Sequence, residues 1–183
     1  AAGYSRYGIG TDGWGYDYHK WDERFDVSKT PNEPHRVGWV VEIDPNNPES
    51  TPVKHTGLGR FKHENAEVVL APDGRVVVYM GDDERGEFIY RFVCNGTYAP
   101  GASSEGMVDD GILYAAKFND DQTGEWVALT PESTGMEQDE LLIFARQAAS
   151  TVGATTMDRP EWISANPNAI EVYCCLTNNK NRG

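Results

Sequence analysis

The stretch that decides the fold reads Glu67-Val-Val-Leu-Ala-Pro-Asp-Gly-Arg-Val-Val-Val-Tyr-Met80 and closes on Gly81-Asp82-Asp83. Apolar, β-rich runs flank the turn Pro72-Asp73-Gly74, and this pattern predicts a β-hairpin. Glu64 stands just before the first strand and the acids follow the second strand, so we expect carboxylates at one end of the hairpin. Such a gathering favours a cation site, because hard cations take oxygen ligands from several strands.

A second stretch near the end of the chain repeats this arrangement. Glu161 opens Trp-Ile-Ser-Ala-Asn-Pro-Asn-Ala-Ile-Glu-Val-Tyr, which closes on Leu176-Thr-Asn-Asn179. A short apolar strand again leads through a turn that contains proline into a β-rich strand that ends in side-chain oxygens. Repeated hairpins with acids and amides at one level predict a radial β-architecture with a polar, metal-holding axis.

The rest of the chain predicts further hairpins and one helix. The runs 38–56 and 111–129 each contain an apolar strand, an acidic turn and a return strand. Residues 136–152 carry an apolar stripe at helical spacing, which predicts one inserted α-helix. We therefore predict an all-β chain of propeller blades over residues 37–183, after a loop-rich aromatic and glycine-rich segment over residues 1–36. A complete propeller needs at least four blades, and this chain holds roughly two, a partial propeller.

Composition excludes several kinds of partner and site. A formal net charge of −13 argues against a nucleic acid or an anionic membrane as the main partner. No run approaches the ~20 apolar residues of a membrane span. Cys94, Cys174 and Cys175 lack the spacing of a structural zinc site. The chain begins Ala-Ala-Gly without a signal peptide, and we expect it to be an internal segment of a longer protein.

The two hairpins and their neighbours resemble the PhoX family of secreted bacterial alkaline phosphatases. The resemblance covers roughly residues 34–183, and the matching runs are 38–45, 58–64, 69–85, 146–149, 157–163 and 176–179. It implies a β-propeller phosphomonoesterase that is exported, and so a periplasmic or secreted protein. It also implies phosphate monoesters as the substrate, with calcium and iron in the central channel.

The resemblance assigns roles to individual residues. Glu64 and Glu161 correspond to carboxylates that ligate the metal cluster, and Arg159 corresponds to the arginine that holds the phosphate. Asp82 and Asp83 fall where the family places acids at the channel, and the choice between them stays open. The iron-binding cysteine of the family lies upstream of this segment, and none of the cysteines here stands in a matching motif.

Each of these residues also has an ordinary structural interpretation. Glu64 has the pattern of a solvated acid at a strand end, and Arg159 with Glu161 that of a surface ion pair. Pro160 restricts the residue before it, which predicts an extended backbone at Arg159. If phosphate binds there, the guanidinium fork suits its oxygens better than a lysine would.

Three neighbouring residues are weaker candidates for the same site. Lys62 and His63 could contact phosphate, although pairing with acids is the favoured interpretation. Asn178 ends the second hairpin at the position equivalent to the acids of the first, which favours oxygen ligation.

The predicted function is a segment of a metal-dependent alkaline phosphatase that hydrolyses phosphate monoesters. Metal ions would neutralise the dianion and position a nucleophile, while Arg159 stabilises charge on the equatorial oxygens. The main alternative is a calcium-stabilised propeller segment without catalysis, acting as a scaffold or interaction module. A propeller lactonase or esterase is a more distant alternative.

An incomplete ring of blades should leave apolar sheet faces uncovered. The residues expected on such faces are Val68, Leu70, Val77, Tyr79, Phe88 and Tyr90. We therefore expect the isolated chain to be inactive and to associate with itself or with the rest of the parent polypeptide.

Overall fold

The computed structural model describes residues 3–10 and 15–181, and their contacts form two units. The first unit is Ala1–Gly38 and the second is Trp39–Gly183. The regular elements described in the first unit are four short 3₁₀ turns, at Ser5–Tyr7, Tyr18–Lys20, Glu23–Phe25 and Glu33–Arg36. An ion pair between Arg24 and Glu33 connects two of these turns, so residues 3–10 and 15–38 are packed locally although no strand is described among them.

The second unit is mostly antiparallel β-sheet with a few short helices. Its strands are β1 Val40–Glu42, β2 Val53–His55, β3 Glu67–Leu70, β4 Arg75–Gly81, β5 Ile89–Thr97, β6 Gly111–Phe118, β7 Gly124–Ala128, β8 Pro160–Ala165 and β9 Val172–Leu176. Its helices are α1 Pro131–Thr134, α2 Gln138–Ile143 and α3 Ala145–Thr151. Strands β3 to β7 form one five-stranded sheet in chain order, while β1–β2 and β8–β9 are separate hairpins. This architecture confirms the predicted predominance of β-structure.

Both decisive hairpins form where the sequence predicts them. Strand β3 pairs antiparallel with β4, and β8 pairs antiparallel with β9. In the first turn, the carboxylate of Asp73 accepts a hydrogen bond from the backbone of Arg75, and Gly74 has a φ of +85° that glycine adopts without strain. In the second turn, the side chain of Asn166 accepts from the backbone of Asn168. Local turn chemistry therefore fixes both hairpins.

The five-stranded sheet is covered on both faces. On one face the main core contains side chains from β4, β5 and β6, from the helices and from the loops beside them. They include Phe61, Val78, Met80, Phe88, Tyr90, Phe92, Leu113, Leu141, Ala145, Ala148 and Ala149. A smaller cluster on the other face contains Ile89, Ala116, Met157 and Ile163. The second cluster attaches the β8–β9 hairpin to the sheet.

The expectation of exposed sheet faces was partly wrong. Three of the six residues expected to be exposed are buried instead, namely Val77, Phe88 and Tyr90. Phe88 and Tyr90 belong to the main core, because α2 and α3 fold over that face of the sheet. Tyr79 is partly buried against the smaller cluster. Only Val68 and Leu70, on the edge strand β3, are exposed as expected.

The predicted helix over residues 136–152 is interrupted at Phe144, which has φ −112° and ψ 45°. Arg60 provides the physical reason. Its backbone N–H donates to the carbonyl of Leu142 at 2.9 Å, and its Nε donates to the carbonyl of Ile143 at 2.9 Å. Because the carbonyls of Leu142 and Ile143 accept hydrogen bonds from Arg60, they need not accept hydrogen bonds from N–H groups in the next turn of the helix. The prediction of one continuous helix was therefore wrong. None of the helices in the described ranges is long and apolar enough to cross a membrane.

Candidate active site

The connection between β4 and β5 joins the two hairpins. We call residues 82–88 the connecting loop. On one side, the backbone N–H of Asp83 donates to the carbonyl of Lys62 at 3.0 Å. On the other side, the N–H of Gly86 donates to the carbonyl of Met157 at 2.9 Å. The loop therefore holds the segment before β3 and the segment before β8 in one place.

Gly81 allows β8 to lie close to the end of β4. A Cβ at this position would lie 2.6 Å from the carbonyl oxygen of Glu161 and 2.7 Å from that of Pro160. Both are backbone atoms, which cannot move aside as the end of a flexible side chain can. Glycine at position 81 therefore lets the beginning of β8 sit beside the connecting loop.

Four side chains meet between these segments, and we call Glu64, Asp83, Arg159 and Glu161 the acid–arginine cluster. Nε of Arg159 lies 2.8 Å from Oδ1 of Asp83, and Nη2 of Arg159 donates to Oδ2 of Asp83 at 2.9 Å. The same Nη2 lies 3.6 Å from Oε1 of Glu161. Glu64 is exposed, and its carboxyl lies close enough to Asp83 and Glu161 for their negative charges to act on it. The side chains of Asp83, Arg159 and Glu161 are 16, 29 and 27 % exposed, so the cluster is open to solvent.

The charges in the cluster do not balance. Burial raises the pKa of Glu64, and the negative charges of Asp83 and Glu161 raise it further, while Arg159 opposes them. Asp83 raises the pKa of the Arg159 guanidinium, which therefore remains charged. Three carboxylates around one guanidinium leave excess negative charge, and this is the electrostatic setting in which a cation is favoured.

The donor set is only partly suited to a metal ion as the side chains stand. Within residues 3–10 and 15–181, no three His, Cys, Asp or Glu side chains have the arrangement of a metal site. In the cluster, both oxygens of Asp83 lie within 3 Å of Arg159. The chemistry of the carboxylate oxygens fits calcium, which takes six to eight oxygen ligands in general. The cluster supplies part of such a set.

Arg159 has a left-handed backbone, with φ +55°, so the prediction of an extended conformation was wrong. Its neighbours explain the difference. Asp158 forms an isolated β-bridge with Arg85, and its backbone carbonyl accepts a hydrogen bond from the N–H of Thr177 at 3.1 Å. Since Pro160 already begins β8, the chain must turn at Arg159. Left-handed backbone in a residue with a Cβ costs about 1–2 kcal/mol, and such strain concentrates at functional sites.

A β-bulge follows immediately in β8. Pro160 pairs with Leu176, but the next paired residues are Ile163 and Cys174, so β8 contains one extra residue. A bulge of this kind re-aims the side chains around it. Glu161 lies inside the bulge, which accounts for its direction toward Arg159.

Asp82 does not reach the cluster. Its fully buried carboxylate accepts two hydrogen bonds from Arg146, Nε to Oδ2 and Nη2 to Oδ1, each at 2.7 Å. Burial raises the pKa of Asp82 to about 6, although the guanidinium favours the ionised form. Of the two adjacent acids between which the sequence could not choose, the structure brings Asp83 to Glu64 and Glu161, and Asp82 to Arg146.

Comparison with known proteins identifies the family of this chain. A model of the family "Alkaline phosphatase PhoX" matches residues 1–183. The chain belongs to the PhoX family. The match includes the first 33 residues, which lie outside the resemblance carried by the sequence motifs.

Among solved structures, this PhoX chain is similar to Pseudomonas fluorescens PhoX in complex with vanadate, a transition state analogue. The two are 50 % identical with a TM-score of 0.90. The match covers 98 % of this chain and 34 % of the other, so the chain spans about a third of that relative's length. None of the curated proteins matches the chain.

The weaker candidates in this PhoX chain have other partners. Nζ of Lys62 lies 2.6 Å from Oε2 of Glu84, so Lys62 pairs with an acid, as the sequence interpretation favoured. His63 stacks on Phe61 with ring centroids 3.8 Å apart, and its Nε2 lies 3.0 Å from the carbonyl oxygen of Gly59. Burial lowers the pKa of His63 to about 4, so its ring is neutral at pH 7 and Nε2 is the donor.

The two asparagines that follow β9 form hydrogen bonds with residues beside the cluster. Oδ1 of Asn178 accepts a hydrogen bond from Nη2 of Arg85 at 2.9 Å. Nδ2 of Asn179 donates to Oδ1 of Asp158 at 3.0 Å. Asn178 therefore contacts the connecting loop, and its place as a metal ligand stays a prediction.

Cys94 and Cys174 lie in settings that disfavour the thiolate, which is the form that binds metals. Burial raises the pKa of Cys94, and burial together with the neighbouring Cys175 raises the pKa of Cys174 to about 11. These settings agree with the lack of a matching PhoX iron motif around these two residues.

Sequence reasoning missed two residues that hold the site, Gly81 and Arg146. Both lie inside runs that resemble the PhoX family, at 69–85 and 146–149. Arg146 carried a further signal, because it interrupts the apolar stripe between Ala145 and Ala148. An arginine on the buried side of a helix requires a buried acid as its partner.

Proposed function

We propose that this chain carries part of the active site of a metal-dependent phosphomonoesterase. The observation that carries the proposal is one guanidinium, Arg159, held among the carboxylates of Glu64, Asp83 and Glu161 in an open cluster. Membership of the PhoX alkaline phosphatases supports it. The vanadate complex of the relative supports it too, because vanadate resembles phosphate in shape and charge.

Arg159 is the residue suited to hold the phosphate. Its Nη2 donates to one oxygen of Asp83 and its Nε lies 2.8 Å from the other, so two nitrogens of the guanidinium face the same way, as phosphate binding requires. The strained backbone and the following proline fix the direction of this fork before any ligand binds. A phosphate dianion approaching from solvent would therefore meet an oriented donor pair.

The three carboxylates would supply part of the oxygen ligands that hold cations beside the phosphate. Glu64 is the most exposed of them, and its pKa is raised first by burial and then by the repulsion of Asp83 and Glu161, which a cation would relieve. Calcium suits these oxygens, whereas burial raises the pKa of the Cys94 and Cys174 thiols and so disfavours both as thiolate ligands of iron. Such ions, when bound, neutralise phosphate oxygens and lower the pKa of a water nucleophile.

The same proposal includes the wider architecture and the location. The sheet is antiparallel, and the polar ends of the two hairpins lie side by side. Both features support a propeller whose blades meet at an axis that carries the site. The exposed Val68 and Leu70 on β3 support contact with the remainder of a longer polypeptide or with a second copy. Phosphate monoesters released outside the cell are the substrate that an exported, periplasmic or secreted enzyme would meet.

The test uses a polypeptide of full family length that contains this sequence. The wild type should hydrolyse p-nitrophenyl phosphate and should lose this activity when a chelator removes calcium. Arg159→Lys should lower kcat/KM by about 10²-fold, since a lysine keeps the charge but not the fork. Elemental analysis should show nearly unchanged metal content in this variant.

Two outcomes would contradict the proposal. Unchanged kinetics in Arg159→Lys would remove Arg159 from the phosphate site. A wild type that binds calcium but hydrolyses no phosphate monoester would favour the calcium-stabilised scaffold instead.

A further inference from the structure

A buried arginine outside the acid–arginine cluster lies directly beneath the connecting loop. Arg146, on α3, has only 1 % of its side chain exposed. It donates two hydrogen bonds of 2.7 Å to Asp82, and its Nε lies 3.9 Å from Oε2 of Glu87. Both carboxylates are buried, so Arg146 faces two acids at opposite ends of one loop.

Asp82 connects this arginine to the segment that carries Glu64. Its Oδ1 accepts from Arg146 and also from the backbone N–H of Lys62 at 3.2 Å. Its own backbone N–H donates to the carbonyl of Phe88 at 3.1 Å, which closes the loop on itself. One carboxylate therefore fixes the loop, the helix and the approach to Glu64 together.

Glu87 lies where the loop meets the segment that carries Arg159 and Glu161. The backbone N–H of Met157 donates to the carbonyl of Glu87 at 2.8 Å. Two residues beyond Met157 the chain reaches Arg159. The charge of Arg146 thus acts on both attachments of the connecting loop.

We propose that Arg146 is a positioning residue for the acid–arginine cluster. It does not touch the phosphate or the cation, but it holds the loop in the conformation in which Glu64, Asp83 and Glu161 face one another. This inference rests on the proposed function, since it assigns the cluster as the cation site.

The physical reason is the cost of unpaired buried charge. Without the guanidinium, Asp82 and Glu87 would be two acids in a low-dielectric interior with their main counter-charge removed. The loop can relieve this by taking up protons or by moving the acids toward water. Movement separates the segment before β3 from the segment before β8, and the carboxylates of the cluster move apart with them.

The experiment compares three variants in a polypeptide of full family length. Arg146→Met removes the charge and keeps much of the volume, while Arg146→Lys keeps the charge without the fork. Leu141→Ala is the matched control, because Leu141 is fully buried in the same core but carries no charge. Calcium affinity is measured by isothermal titration calorimetry on metal-free protein. Hydrogen exchange at the amides of Asp83 and Gly86 is measured on the same samples without calcium.

Arg146→Met should bind calcium about 10–100-fold more weakly, the range found when groups that orient metal ligands are removed. Its Asp83 and Gly86 amides should exchange faster, and Arg146→Lys should lie between Arg146→Met and the wild type. Leu141→Ala should lose thermal stability but keep the wild-type affinity and the same exchange at both amides. If Arg146→Met does not fold, Arg146→Lys is judged by the same two measurements.

Wild-type affinity together with wild-type exchange in the Arg146 variants would overturn the inference. So would an equal loss in Leu141→Ala, because it would show that any destabilised core weakens the site. Failure of the proposed function looks different. In that case the wild type itself would hydrolyse no phosphate monoester, whatever its calcium affinity and whatever the amides show.

Discussion

Replacing Gly81 by alanine should displace β8 from the connecting loop. The added Cβ would lie 2.6 Å from the carbonyl oxygen of Glu161 and 2.9 Å from the carbonyl carbon of Pro160. Ordinary van der Waals contact begins at 3.4 Å, so the strand must move by roughly 0.8 Å. Because the contacted atoms are backbone, the side chains of Arg159 and Glu161 must move with the strand.

The expected consequence is a large loss of activity with a smaller loss of stability. A displacement near 1 Å in a positioned group costs about 10²-fold in rate, so kcat/KM with p-nitrophenyl phosphate should fall by about that factor. Overpacking of a close contact costs about 1–3 kcal/mol, which urea denaturation of the same protein would measure as a lower free energy of unfolding.

Gly96 provides the matched control. It lies in β5, it is exposed, and a Cβ there would meet nothing within 4 Å. Gly96→Ala should leave the kinetics unchanged and alter stability by at most about 1 kcal/mol, in the stabilising direction expected for a strand. If Gly81→Ala behaved like Gly96→Ala, the close approach of β8 would not be what positions the cluster, and the reasoning would be refuted.

Two further predictions concern residues away from the cluster. Burial opposes the charged form of His55, but hydrogen bonds to Asp109 and Glu42 outweigh it, so the pKa of His55 is raised. The stabilisation of the fold by protonated His55 is therefore fully present below about pH 6.5 and is lost as pH rises through the raised pKa. His55→Gln should lower the free energy of unfolding more at pH 6 than at pH 9. An equal loss at both pH values would contradict this. Thr130 caps α1 in a reciprocal pair with Ser133, so Thr130→Ala should lower the free energy of unfolding by about 1 kcal/mol in urea, while Thr130→Ser should not.

The hairpins could be predicted from the sequence because their information is local. Turn residues such as Asp73 and Gly74 and the apolar runs beside them act over a few positions. The convergence of Glu64 with Glu161 followed from the same logic, as both acids stand at hairpin entries. The turn and strand sequences that the hairpins share with the PhoX family can therefore be recognised from the sequence alone.

The choice between Asp82 and Asp83 could not be made in this way. Adjacent residues of an extended chain point to opposite faces, so only one of the two could face the cluster. Which one does so depends on where Arg146 lies, and α3 reaches that face only through tertiary packing. The predictions of an extended backbone at Arg159 and of a continuous helix through Phe144 were wrong for the same reason. In both places, hydrogen bonds to residues distant in sequence override the local preference.

The bond between Asp82 and Arg146 joins residues 64 positions apart, and this separation has a consequence for synthesis. A ribosome adds about 5–20 residues per second, so Arg146 follows Asp82 by roughly 3–13 s. During that interval the first hairpin can already form, because β-hairpins close in about 1–10 μs. Its acidic end must wait for its counter-ion, since Arg146 and the segment up to Glu161 are not yet made. The acid–arginine cluster therefore cannot take up its native structure before the segment that carries Arg159 and Glu161 has been made.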